Sequence, residues 1–161
     1  MKNLRNLFIL VLIVSTGLNT AIAQTKSKKQ IKEERISAMV KAKKYIFLAN
    51  YVLPQRGGSR QLTSDYDLRV TPDSVISYLP YFGQAYFDVA YNNQDNGIKF
   101  TSTKFSYEVT EKKKGGWEIT IKPSDVKNMS RLILSISSDG YASLGVYTVN
   151  RDYIDFNGYL K

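Results

Sequence analysis

The sequence predicts a mainly β (α+β) domain: an antiparallel β-sandwich or partly open β-barrel of about eight strands, with one N-terminal helix packed on it. Three observations carry this. Short alternating runs rich in aromatic and β-branched residues fill the chain from Tyr45 onward. Clusters of turn-forming residues separate them. Past residue 23, helical spacing of apolar residues marks one leading segment only.

The first segment is a targeting signal. Lys2 and Arg5 precede the apolar run Leu7 to Val14, and Ala21-Ile22-Ala23 forms a small-x-small site. This predicts a secretory signal peptide over residues 1–23, cut before Gln24. The apolar run is shorter than the ~20 residues a membrane span needs, and the polar Asn19 and Thr20 keep it from extending further. No cysteine is present to carry a lipid anchor. The expected product is a soluble exported protein, periplasmic or extracellular, with no transmembrane span in the mature chain. Residues 24–161 then form a single β-rich domain, with 24–30 a disordered leader.

Ser27 is placed to cap a helix through Ile31, Ile36, Met39, Val40 and Lys43, with one narrow apolar stripe for the sheet. YIFLANYVLP (45–54) alternates as a strand, with Tyr45, Phe47, Ala49, Tyr51 and Leu53 on one face, and ends in the turn QRGGSR. DYDLRV (65–70), SVISYL (74–79) and QAYFDVAY (84–91) read as further strands. KFSYEV and WEITIK flank a lysine- and glycine-containing loop as a hairpin, which sets Trp117 in the core across from Phe105, Tyr107 or Val109. A second hairpin turns on Asp139-Gly140. Tyr153, Ile154, Phe156 and Tyr159 suggest a closing strand.

Composition excludes several chemistries. With no histidine and no cysteine, Ser-His-Asp and Cys-His catalysis and His or Cys zinc sites are ruled out. Ser124-Asp125-Val126-Lys127 matches S-x-x-K, but in a turn between strands and without its companion elements. Thr101 to Lys104 lies in a strand pattern and is no stronger. NNQDNG (92–97) opens like a calcium loop, yet Thr103 stands where a bidentate Glu is required. Asp65 and Asp67 alternate with Tyr66 and Leu68, as on the wet face of a strand. No catalytic residue, metal site or cofactor is expected.

The segment removed with the signal carries two of 23 basic residues and none of 14 acidic ones, so the mature net charge is 21 − 14 = +7. Lysines and arginines crowd the leader and helix and the loop tip Lys112 to Lys114. Export argues against nucleic acid as a partner and leaves weak contact with anionic lipid or glycan. YLPYFGQAYF (78–87) is the densest aromatic stretch. Pro80 and Gly83 bend it into a corner between strands, and Tyr78, Tyr81, Phe82 and Tyr86 are its candidate ligand-binding residues. Tyr81 is the member expected to face solvent, with Phe82 packed inward.

SYLPYFGQAY (77–86) together with SISSDGYASLGVYTV (135–149) resembles a family of exported Bacteroidota proteins, domain of unknown function 4251. The likeness runs from Glu33 to Leu160. It implies a Gram-negative envelope location and supplies no activity and no catalytic residues. Two readings of function remain open. The first is a non-enzymatic envelope module that binds an unknown ligand or protein. The second is a small carboxylate-dependent glycan hydrolase, which the scarcity of glutamate (five in the chain) disfavours.

Overall fold

The computed structural model describes residues 26–87 and 97–161. One helix, α1 (Lys28–Lys41), precedes nine strands. These are β1 (Tyr45–Pro54), β2 (Arg60–Val70), β3 (Val75–Leu79), β4 (Ile98–Ser102), β5 (Phe105–Glu111), β6 (Trp117–Pro123), β7 (Met129–Ile136), β8 (Tyr141–Thr148) and β9 (Ile154–Leu160). The signal segment and most of NNQDNG lie outside the described residues. Among those described, no helix is long and apolar enough to cross a membrane, and no three acidic side chains gather as a metal site.

Every strand pairing is antiparallel, in the order β4-β3-β2-β1-β9-β8-β7-β6-β5. The chain meanders outward from β1 on one side and back to β9 on the other, and the first and last strands pair with each other. Counting reversals from that shared seam leaves β4 and β5 running in the same sense. Only Thr103 and Lys104 join them. They are therefore two halves of one bent strand, the first half pairing with β3 and the second with β6. The bend carries the chain from one edge of the sheet to the other and nearly closes a barrel. An antiparallel barrel needs an even strand count to close. Nine segments meet that rule by behaving as eight, and the barrel alternative of the sequence reading is the one realised.

The bend is held by a polar clamp. The Asp125 carboxylate accepts from the Ser102 hydroxyl and from the Thr103 and Lys104 amides, at 2.9 and 3.1 Å for the amides. Ser124 donates its amide and hydroxyl to the Lys104 carbonyl. The two Ser/Thr-Lys motifs thus meet as a structural joint, and Ser124 is occupied as a backbone donor. Hydrogen bonds to its charged form, first from Ser102, hold the Asp125 carboxyl down at about 2.

The core lies inside the barrel, around Phe47, Leu68, Leu79, Ile119, Leu132 and Phe156, each fully buried. Each such side chain contributes roughly 1.5–3 kcal/mol over an exposed one. Trp117 is 6% exposed, as expected, but its cross-strand partner is Glu111; Val109 pairs with Ile119 and Tyr107 with Ile121. Helix α1 starts at the Ser27 cap, completed by a reciprocal bond from Gln30. It buries Ile36 and Val40, and Tyr107 donates to the Val40 carbonyl while meeting the Tyr45 hydroxyl at 3.1 Å. Burial raises the Tyr45 and Tyr107 phenols above their ordinary range.

Other expectations shift in detail. Strand β3 falls within the expected 74–79, but β2 already begins at Arg60, inside the anticipated turn. The strand expected over 84–91 reduces, among its described residues, to one bridge between Ala85 and Arg151. Asp67 is buried, not wet, because Arg69 covers its carboxylate at 2.8 Å.

Candidate functional site

The aromatic corner forms where sequence placed it, and the structure shows what holds it. Tyr86 N donates to Asn150 O at 2.9 Å and Asp152 N to Gln84 O at 3.0 Å, fastening the corner to the β8–β9 connection. Tyr81 is half-buried against the core, and its hydroxyl donates to the carbonyls of Gln84 and Asp152 at 2.7 and 3.2 Å. Burial, then the nearby Asp152 charge, pushes that phenol up to about 12. Phe82 is also half-buried, under the Arg60 guanidinium at 5.1 Å, so the pair shows no inward–outward contrast. Tyr86 is exposed but donates to the Asp152 carboxylate, which raises its pKa. Tyr78 lies exposed on β3, stacked on Tyr66 at 5.8 Å with Lys99 over its ring at 4.9 Å. The corner brings Tyr81 and Tyr86 together on Asp152. It leaves the Tyr78 and Tyr86 rings open to solvent.

A second concavity lies elsewhere, a groove of about 740 Å³ between α1 and the outer face of β1, β8 and β9. Its existence depends on a one-residue irregularity. Ala49 pairs with Gly158, but Tyr51 pairs with Asn157, so Asn50 is an extra residue in β1. On the other side Tyr51 pairs with Gln61 while Ala49 pairs with Tyr66. Such a bulge reverses which side chains face inward. Tyr45, Phe47 and Ala49 are buried, but beyond Asn50 it is Val52 that enters the core. Tyr51, which simple alternation sets on the same face as Tyr45, Phe47 and Ala49, is 46% exposed and lines the groove. Gly158 makes this possible, because a Cβ there would collide with the Leu48 carbonyl.

The groove wall is a field of tyrosines and amides. Tyr141 pairs directly with Tyr159, and the two are 66% and 41% exposed. Asn50, Gln61 and Asn157 stand around them. Among the described residues, none of the hydroxyls of Tyr51, Tyr141 and Tyr159 has a protein hydrogen-bond partner. From α1, Lys32, Arg35, Ile36 and Met39 form the opposite wall. Lys32 Nζ lies 5.9 Å from the centre of the Tyr141 ring. Among the described residues, Asp139 is the one acidic side chain lining the groove. The Ser137 hydroxyl donates to it and, with weaker help from Lys32, keeps its carboxyl below the usual range. At Gly140 the backbone takes φ +83° and leaves room for Ile36, which seats the helix beside the turn.

Sequence reading missed this site because its parts come from α1, β1, β2, the 139–141 turn and β9. A signal was present in IDFNGYL, where Asn157 and Tyr159 alternate with Phe156. What hid Tyr51 was the bulge, which no alternation pattern displays.

The sequence signature of the family described as domain of unknown function (DUF4251) matches residues 27–160. A solved structure with a similar fold is a DUF4251 family protein from Bacteroides eggerthii, at a TM-score of 0.61 and 17% identity, covering 81% of this chain and 87% of that one. No curated protein matches. From the helix cap to the last strand, the chain belongs to the DUF4251 family.

Proposed function

We propose that this chain is an exported envelope protein that acts by binding, and that its groove receives a polyhydroxylated ligand of oligosaccharide type. The observation that carries the reading is the set of three solvent-facing tyrosine rings beside three side-chain amides in one open groove. Sugar rings present flat C–H faces that stack on aromatics and hydroxyls that pair with amides, and the tyrosines offer large contact area at low entropy cost. A glycosidase needs two carboxyl groups flanking the bond it cuts. With Asp139 the one acidic lining residue, the groove suits holding better than hydrolysis. Export rests on the residue pattern before Gln24. Tyr78 and Tyr86, still open at the corner, are the expected residues that a second contact would use.

Saturation-transfer NMR against a panel of oligosaccharides tests the site. Transfer should appear with the wild type and vanish with Tyr159→Ala while the melting curve stays in place. Equal transfer to both proteins would place the ligand outside the groove. Export is checked by intact mass from the native host: a chain beginning at Gln24 is expected, and a full-length mass in the membrane fraction would refute it.

A further inference from the structure

The groove is asymmetric in charge. Its tyrosine and amide wall carries one acidic and one basic side chain, Asp139 and Lys161, while α1 contributes two cations, Lys32 and Arg35, spaced three residues apart and so carried on one side of the helix. Both are exposed. Among the described residues Arg35 has no carboxylate within ion-pair distance. The single acid of the lining, Asp139, already accepts from Ser137 in its own turn. Helix α1 does contain Glu33 and Glu34, yet these line a different hollow beside Trp117, and Glu34 pairs with Lys26 at 2.7 Å. The helix thus turns both of its acids away from the groove and two of its bases, Lys32 and Arg35, toward it.

We infer that the groove is built for an acidic oligosaccharide, one whose sugars carry carboxylates. Resting on the oligosaccharide reading above, this assigns the roles within the site. Tyr51, Tyr141 and Tyr159 take the sugar faces, Asn50 and Asn157 the hydroxyls, and Arg35 and Lys32 the carboxylates. Arg35 is the better carboxylate ligand of the two, because its planar fork donates to both carboxylate oxygens at once. Lys32 adds a point charge held close to the Tyr141 ring. A sugar carboxylate and a ring face lie within one residue of each other in a uronic acid chain, and the site offers a base and a ring at that same short separation.

The experiment is calorimetric titration of the full mature chain with short fragments of pectate, alginate and hyaluronan. Each is used as the free acid and as its methyl ester, which removes charge and keeps the sugar. At least one acid fragment should bind about tenfold or more tightly than its ester, and this advantage should shrink on raising salt. Arg35→Gln should remove the advantage by weakening acid binding far more than ester binding, whereas Tyr159→Ala should weaken both forms. Equal affinity for acid and ester, or an advantage that survives Arg35→Gln, overturns the acidic assignment and leaves the sugar reading intact. Polyphosphate binding as tightly as the best uronate would reduce the groove to a charge trap and also overturn it. Binding of neither form removes the sugar reading and this inference with it.

Discussion

The corner and the groove are both rich in tyrosine, yet their hydroxyls are used differently. At the corner, Tyr81 and Tyr86 donate to Gln84 and Asp152, so the rings are fixtures that fasten a loop to the barrel. In the groove, the hydroxyls of Tyr51, Tyr141 and Tyr159 have no protein partner among the described residues, and all three residues are exposed. A buried phenol normally finds a protein partner, because an unsatisfied one is costly. An exposed ring on a strand, with no such tie, is held by its backbone alone and stays available. Aromatic density in a sequence therefore says little about binding until the destination of each hydroxyl is known.

Substitutions can test the difference. The scale is set by Trp117→Ala inside the barrel, which should cost roughly 3–5 kcal/mol in denaturant unfolding. A loss under about 1 kcal/mol would contradict its burial. Gly158→Ala, beneath the groove, should come next at about 2–3 kcal/mol, since the added methyl meets the Leu48 carbonyl and the bulge must shift. It should also remove the groove, so that ligand signals disappear together with stability. Tyr81→Phe at the corner should cost about 1 kcal/mol by deleting a donor to two carbonyls while keeping the ring. Tyr141→Ala in the groove should fall within about 0.5 kcal/mol of wild type. A Tyr141 variant that melts as early as Tyr81→Phe would erase the distinction between the two regions.

A pH series adds a third region for comparison, the bend at Asp125. Its carboxyl titrates lower in the folded chain than in the unfolded one. The unfolded chain therefore takes up the proton first on acidification. The resulting stability is fully present above the ordinary carboxylate range and declines as pH falls from about 3.8 through about 2. Chemical unfolding followed from pH 5 to pH 2 should show this decline in the wild type. Asp125→Asn should flatten it, and an unchanged slope would mean that the clamp at Ser102 and Lys104 is not formed.

Much of the fold could be read in advance, for a physical reason. The Ser27 cap, the α1 stripe through Ile36 and Val40, and both hairpins depend on neighbours in sequence. Alternation in WEITIK and RLILSIS mapped directly onto buried Trp117, Ile119, Ile121, Leu132 and Leu134. The features that escaped depended on tertiary pairing. The extra residue at Asn50 is defined only by the register of two neighbours, and the groove by five segments, from α1, β1, β2, the 139–141 turn and β9. At Thr103 the strand pattern of 101–104 could be read, but the bend that carries the strand from β3 to β6 shows only in the sense of the paired strands.

The seam between β1 and β9 also governs how such a chain comes into being. Phe47 meets Leu160 and Val52 meets Phe156, so the wall is sealed by pairing the first strand with the last. Contacts this far apart in sequence are slow to form. During synthesis the barrel cannot close until β9 emerges, and β1 and β8 present open edges in the meantime. That delay fits the export proposed above, since an exported chain crosses a membrane unfolded and assembles afterwards. It would be a hazard for one that had to fold at the ribosome.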